Sequence, residues 1–385
     1  MNILIISPMY YIQDRPNLFH DSNAVHYLVK PWAKDNNVLV INIYRESLRK
    51  ALRYLKLEER NFYKNGYYYS IDNVKVGMCE VLSKYKQGYN LTKKQSERVI
   101  NFIDDFLVNN SFHPNVIVFH FPSVMTHVVA HNFDTNRKVG ILHITDCYAC
   151  ESIDTLEILQ NNLDACFARS AQILKYFERK ELENLCDNII YSGVPINTNV
   201  KSHSKPNCFD IIYAGKLIKR KNVDAVIYAL SYFNNVKFKF SIYGEGPEEK
   251  KLKKIAKNLL SDEKIEFHKY INRSELLERM ESCDLFIMPS EGETLGLVYL
   301  EAMSRGVICI GLKDEGIDGI IKHGRNGYLA DPKDLNNSLL SIIRVIFELD
   351  SDDYKKISYN SIITGKSFSE NDMGYRYYTL ITEGI

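Results

Sequence analysis

Apolar residues in this chain come in short, nearly unbroken runs, separated by longer stretches with helical spacing or dense charge. The first half holds NILIIS (2–7), NVLVINI (37–43), NVIVFH (115–120) and VGILHI (139–144). The second holds DIIYAG (210–215), KFKFSIYG (237–244), KIEFH (264–268), DLFIMPS (284–290) and VICIG (307–311). Short β-branched runs of this kind suit strands buried on both faces of a parallel sheet. Their alternation with helices predicts a doubly wound α/β architecture. The stretch INTNVKSHSKPNC (196–208) breaks the pattern, being polar and without an apolar period. It divides the chain into residues 1–197 and 208–367, each able to hold its own sheet. Two Rossmann-like domains facing a cleft are therefore expected, because open parallel sheets bind ligands beyond the carboxyl ends of their strands.

Composition changes this picture little. A length of 385 residues suits two domains, and 45% apolar with 25% charged residues is ordinary for a globular chain. A formal net charge of +1 gives no reason to expect a nucleic-acid partner. No run reaches the roughly 18 apolar residues of a membrane span, and MNILIISPMYY lacks the basic start of a signal peptide. A cytoplasmic protein with reduced thiols is expected from eight scattered cysteines, of which Cys147 and Cys150 have CxxC spacing but no second pair for zinc. Residues 45–64 carry Arg45, Arg49, Lys50, Arg53, Lys56, Arg60 and Lys64 among Leu48, Leu52, Leu55 and Phe62. They read either as a solvated helix face or as an interfacial helix making peripheral contact with an anionic inner membrane face.

The chemistry concentrates in two segments. In PSEGETLGLVYLEAMSRGVICIG (289–311), a strand ends, a polar turn follows, and a helix is expected from near Leu295 to Arg305. Its free N–H groups suit a phosphate, and Gly296 permits close approach. Glu293 precedes the helix, and Glu301 is expected about two turns in, on the order of 12 Å further along. That is too far for one acid–base couple, so the two read as acceptors for the hydroxyls of two sugars with a diphosphate between. In YAGKLIKRKNVDAVIYAL (213–230), Lys216, Lys219, Arg220 and Lys221 crowd a strand-end turn, where they would stabilise a departing diphosphate. Asp350-Ser351-Asp352 has DxD spacing but reads as a helix start. Gly365-Lys366-Ser367 lacks the upstream glycine and strand of a phosphate loop. His120, His127 and His143 lack metal-ligand spacing. His120, at a strand end, reads either as facing the cleft or as a satisfied core histidine.

These motifs resemble those of the retaining family 4 glycosyltransferases of GT-B fold, and the resemblance covers nearly the whole chain. PSEGETLGLVYLEAMSRG is similar to the family's Glu-seven-residues-Glu segment, and AGKLIKRKN to its phosphate segment, with Lys216 in place of Arg and Asn222 in place of Gly. YGEGPEEKKL (243–252), IKHGRNGYLADPKD (321–334), HITD (143–146) and GVPIN (193–197) resemble further family segments. The resemblance implies that Glu293 holds donor-sugar hydroxyls and Glu301 the ribose. Lys216 and Lys221, with the backbone of Leu297 and Val298, would hold the diphosphate. The backbone of Leu295 and Gly296 would meet the sugar, and the base would sit near Tyr270 and Ile271. His143 would lie near the reacting centre, with Asp146 orienting it or the acceptor; His120, placed by its strand end and not by the resemblance, would stand on the acceptor side. Residues 368–385 would cross back onto the N-terminal domain. The stretch SPMYYIQDRPNLFHDSN, without glycine, departs from the family's loop after the first strand, and Gly319 stands where Glu is common.

The function expected is retaining transfer of a sugar from a nucleotide-sugar to a glycan or lipid-linked acceptor, in surface polysaccharide or glycoconjugate synthesis. The donor is a substrate, a UDP-sugar first and a GDP-sugar next; no cofactor or metal is expected. A sugar-nucleotide epimerase of similar fold and a non-catalytic nucleotide-sugar-binding module are the alternatives.

Overall fold

The computed structural model describes residues 1–10, 23–47, 67–83, 90–149, 153–178, 186, 188–197 and 199–384. The chain divides into two compact units, Met1–Gly193 with Glu370–Ile385, and Val194–Ser369. The polar stretch 196–208 belongs to the second unit rather than separating the two; His203 N–H, for instance, donates to Ser358 Oγ at 2.8 Å. The basic segment 45–64 lies outside the described residues except for the backbone of 45–47, and most of the loop after the first strand and Cys150 lie outside them too.

The first unit is built on an eight-stranded sheet. Its strands are β1 (Asn2–Ser7), β2 (Asn37–Ser47), β3 (Tyr67–Ile71), β4 (Val74–Ser83), β5 (Val116–His120), β6 (Arg137–Leu142), β7 (Ala165–Ala168) and β8 (Asn188–Ile189). Their order is β3-β4-β2-β1-β5-β6-β7-β8. All pairs are parallel except β3 with β4, joined through Asp72 and Asn73 at φ 46° and 65°. Two positive-φ residues between antiparallel strands make a tight hairpin turn. β1 and β5 are buried along their apolar length, as parallel strands covered on both faces must be. The last helix, Glu370–Thr382, packs on the helix Asn23–Ala33, with Tyr377 and Tyr378 against Trp32.

The second unit has six parallel strands, β9 (Phe209–Ala214), β10 (Phe238–Tyr243), β11 (Ile265–His268), β12 (Leu285–Ile287), β13 (Ile308–Leu312) and β14 (Tyr328–Ala330). Their order is β11-β10-β9-β12-β13-β14. The chain winds outward one way from β9 and then the other way from β12. This creates a switch point between them, where the loops after neighbouring strands diverge and leave room for a ligand. Both units are thus Rossmann-like. The nine strands read from the apolar runs are present, with small differences at their ends. β3, β4, β7, β8 and β14 were not anticipated.

Gly365, part of the rejected phosphate-loop pattern, is buried in the helix Ser351–Lys366. A Cβ there would fall 2.2 Å from the backbone nitrogen of Ser304, so the glycine sets how closely two helices approach. Gly365→Ala is expected to lower the thermal midpoint of unfolding by several degrees, corresponding to ~1–3 kcal/mol of overpacking. The exposed neighbour Ile363→Ala should change stability by less than ~0.5 kcal/mol.

Candidate active site

The loops after β9 and β12 meet across the switch point. Lys221 ends a short 3-10 turn, Lys219–Lys221, and is followed by Asn222 at φ 52°. Asparagine tolerates this left-handed conformation better than most residues, which accounts for its standing where the resembled motif has glycine. The Lys221 side chain is buried, with its Nζ against the Glu293 carboxylate and 3.9 Å from Met288 Sδ. Glu293 Oε1 also accepts from Ser290 Oγ at 2.9 Å and lies 3.4 Å from Arg220 Nη1. Arg220 further donates to the Glu291 carbonyl at 2.5 Å, and Asn222 Nδ2 to the Pro289 carbonyl at 3.0 Å. The turn 290–293 is therefore anchored by cations from the neighbouring loop. Glu315 accepts the backbone N–H of Glu293 at 3.0 Å. Burial raises the Glu315 carboxyl above the usual range, although the N–H groups of Gly292 and Glu293 oppose this.

The helix after the turn is Leu297–Met303, shorter and later than expected, so Glu301 is about one turn in rather than two. Gly296 precedes it at φ 75°, and a Cβ there would lie 2.6 Å from the Tyr299 ring. Glycine is required on both counts. The Tyr299 hydroxyl donates to the Met288 carbonyl, pinning the helix to the end of β12. Leu295 is buried. Glu301 is 5% exposed and accepts from Arg273 Nε at 2.6 Å. Arg273 opens the helix Arg273–Met280, whose capping box joins Asn272 and Glu275.

Beside this arrangement lies a pocket of about 470 Å³, lined among others by Gly215, Lys216, Tyr243, Tyr270, Val298 and Glu301. Ile271 and Glu245 line it as well. The glycines of YGEGP shape its wall by close backbone approach. A Cβ on Gly244 would lie 1.9 Å from the Gly215 carbonyl oxygen, and one on Gly246 would lie 2.3 Å from that of Leu217. Of the anticipated donor residues, Lys216, Tyr270, Ile271, Val298 and Glu301 share the pocket, and Leu297 starts the helix whose next residue lines it. Lys221 and Glu293 instead engage each other. The four cations of the first turn are not equivalent: Lys216, Lys219 and Arg220 are exposed and Lys221 is buried, and only Arg220 and Lys221 are turned onto Glu293. Arg273 was not anticipated; only its place opening a helix hinted at it.

The anticipated acceptor-side residues lie together in the first unit. His120 ends β5 and is fully buried, with Nδ1 3.1 Å from His143 Nε2 and Nε2 3.0 Å from the Tyr377 hydroxyl. It is a satisfied core histidine, the blander of the two sequence readings. His143 is 7% exposed and stacks on Phe121 with ring centroids 3.6 Å apart. Phe121 itself has φ 60°, unusual for a bulky residue. Asp146 is fully buried and accepts the backbone N–H groups of His143 at 2.7 Å and Ser123 at 3.0 Å. It therefore orients the backbone of His143. Burial pushes its carboxyl up to about 6. Burial, with Arg169 nearby, holds both histidines well below the ordinary imidazole range. Cys147 is buried, and burial pushes its thiol up to about 12, far from a reactive thiolate. Asp350 caps the helix that follows it, accepting the N–H of Asp353 at 2.8 Å. Among the described residues no cluster of three or more His, Cys, Asp and Glu is placed to hold a metal ion, and no helix is long and apolar enough to cross a membrane.

The pocket lies beyond the carboxyl ends of the strands of a Rossmann-like unit, beside basic and acidic groups, which is where enzymes built on such sheets bind their ligands. Residues 196–362 match the family described as Glycosyl transferases group 1. An uncharacterized glycosyltransferase of Methanocaldococcus jannaschii is 25% identical over 355 residues, spanning 84% of this chain and 92% of that one. Sucrose-phosphate synthase from Thermosynechococcus elongatus superposes with a TM-score of 0.73 at 13% identity, covering 99% of this chain and 98% of that one. HepE of Anabaena, in complex with UDP and glucose, superposes with a TM-score of 0.68 at 17% identity, covering 99% and 100%. The fold is GT-B, and the chain is a glycosyltransferase carrying a group 1 domain.

The buried histidines make the first unit acid-sensitive. An unfolded chain protonates histidine below about pH 6.5. Folded His120 and His143 do not, so stability is lost as the pH falls through that value. His26, lowered by burial against the pull of Asp72, acts in the same direction. Asp146 opposes them: its raised carboxyl takes up a proton in the folded unit below about pH 6, which adds stability as the pH falls. The histidines outnumber it, so the denaturation midpoint should fall between pH 7 and pH 5. Fluorescence of Trp32, the only tryptophan, reports this unit. His120→Asn should reduce the fall by up to ~1.4 kcal/mol per pH unit.

Proposed function

We propose that this glycosyltransferase moves a sugar from a nucleoside diphosphate sugar, most favourably a UDP-sugar, to a glycan or lipid-linked acceptor with retention of anomeric configuration. The observation that carries the donor half is the pocket that joins Lys216, Tyr270, Ile271, Val298 and Glu301 beside the Lys221–Glu293 pair. The bound UDP and glucose of HepE, which shares the fold, favour the same donor class.

In this reading Tyr270, 75% exposed at the pocket rim, and Ile271 meet the base. Glu301, held by Arg273, accepts from the ribose hydroxyls. Lys216 and the N–H groups of Leu297 and Val298 meet the diphosphate, whose charge grows as the glycosidic bond breaks. Lys221 and Arg220 add positive charge beside it, so the reaction needs no metal. Glu293 accepts from the donor sugar's hydroxyls, with the backbone of Leu295 and Gly296 alongside. It is not a nucleophile, because its carboxylate is already engaged by Lys221, Arg220 and Ser290. Retention then follows from attack on the face the phosphate leaves, with the acceptor's proton passing to the departing phosphate oxygen. His143 stands on the acceptor side. The proposed setting is surface polysaccharide or glycoconjugate synthesis in the cytoplasm, with residues 45–64 touching the inner membrane face.

A panel of nucleotide-sugars scored by thermal shift, followed by turnover on the best donor, tests this. UDP-sugars should raise the midpoint most. Glu301→Ala and Lys216→Ala should each weaken UDP affinity about tenfold, ~1.4 kcal/mol. Glu293→Gln, which spares the hydrogen bonds but not the charge, should lower turnover by roughly 10²-fold with UDP affinity nearly unchanged. A Glu293→Gln enzyme of normal turnover would sink the assignment.

A further inference from the structure

We infer that Tyr377 and His120 are positioning residues that fix the tautomer of His143, leaving it a neutral hydrogen-bond donor through Nδ1 rather than a base. The inference rests on the reading of His143 as a residue near the reacting centre, and it assigns that residue's protonation state and the source of its control.

Hydrogen counting fixes the direction of these bonds. Three side chains form a buried ladder: the Tyr377 hydroxyl 3.0 Å from His120 Nε2, and His120 Nδ1 3.1 Å from His143 Nε2. Tyr377 and His120 are fully buried. Each neutral imidazole carries one proton, so the ladder has two consistent directions. In one, the tyrosine donates to His120, His120 donates to His143, and His143 keeps its proton on Nδ1. In the other every bond reverses, and the Tyr377 O–H must find another acceptor. Among the described residues it has none, so the reverse direction strands a buried hydroxyl hydrogen.

A second observation gives the same direction. Arg169 is buried, 3% exposed, and donates to the Ile190 carbonyl at 2.8 Å and to Ser192 Oγ. Among the described residues no carboxylate lies within ion-pair distance of it. Its positive charge acts on Tyr377 and on both histidines. A cation beside a phenol draws the oxygen toward itself and turns the hydrogen away, here onto His120. The same cation, with burial, keeps both rings neutral. Phe121 stacked on one face of His143 and Asp146 on its backbone N–H hold the ring in place. Nδ1 of His143 makes no hydrogen bond among the described residues, so it is the atom left to meet a substrate oxygen. Tyr377 comes from the last helix, more than two hundred residues away in sequence, which gives that helix a role in the site beyond packing.

The test is a two-bond proton–nitrogen correlation spectrum of the uniformly ¹⁵N-labelled full chain, with His143 assigned by its loss in His143→Gln. Wild-type His143 should show a protonated Nδ1 and a bare Nε2. Tyr377→Phe, isosteric and apolar, removes the bias and should give mixed tautomers. His120→Asn, whose amide N–H can donate from near the Nδ1 position, should keep the wild-type pattern, and His120→Leu should not. A wild-type His143 protonated on Nε2, or a tautomer unchanged in Tyr377→Phe, would overturn the inference. Turnover is read separately: Tyr377→Phe should lower kcat by roughly tenfold to a hundredfold with donor KM unchanged. If the tautomer shifts while kcat does not, the ladder stands and His143's place near the reacting centre falls.

Discussion

The ion pair between Lys221 and Glu293 is the interaction on which the strand-end loops of the second unit depend. It joins the loops that leave β9 and β12, neighbouring strands at the point where the chain reverses its winding. Both side chains are largely withdrawn from water, so neither charge is tolerable alone; breaking such a pair from one side costs on the order of 3–5 kcal/mol. The pair, with Arg220 and Ser290, therefore holds the turn 290–293 in one conformation. That turn in turn sets where the following helix begins and where Glu301 and Val298 face the pocket. The charged residues that suggest chemistry in the sequence thus also build the scaffold of the site.

The same economy runs through the rest of the pocket. Gly244 and Gly246 are needed because the loop after β10 lies against the carbonyls of Gly215 and Leu217. Gly296 is needed because Tyr299 occupies the space a side chain would fill. Glu301 is positioned by Arg273 from the helix after β11. The two carboxylates that would meet a donor, Glu293 and Glu301, are thus each fixed by a contact from a different strand-end loop. Such preorganisation places the cost of ordering in folding rather than in binding.

Much of this was legible in the sequence, for physical reasons. Strands buried on both faces leave unbroken apolar runs, so β1, β5 and β13 could be read directly. The spacing of Glu293 and Glu301 and the basic turn after β9 mark strand-end loops, which is where such sheets bind. The hairpin of β3 and β4 was missed although Asp72-Asn73 is a turn signal, because β3 is largely exposed and the buried β4 breaks its apolar run with Lys75, Gly77 and Glu80. The helix start at Leu297 was misplaced by two residues, since Gly296 at positive φ delays it. Arg273 and Tyr377 were not legible as site residues: each acts across a long sequence separation, and beyond Arg273's place at a helix start nothing local distinguishes them from surface or core residues. His120 could be read as open or enclosed until Tyr377 was seen to close it.

In the proposed function, the pocket of the second unit takes a nucleoside diphosphate sugar, with Glu301 on the nucleoside side and Glu293 on the sugar side. Hydrogen–deuterium exchange of the full chain with and without UDP-sugar addresses it most directly. Protection is predicted in three separated stretches, 214–222, 268–273 and 292–301, with UDP alone protecting the first two and the helix start but leaving 290–294 close to its free rate. Protection confined to other segments, or none at saturating nucleotide-sugar, would contradict it.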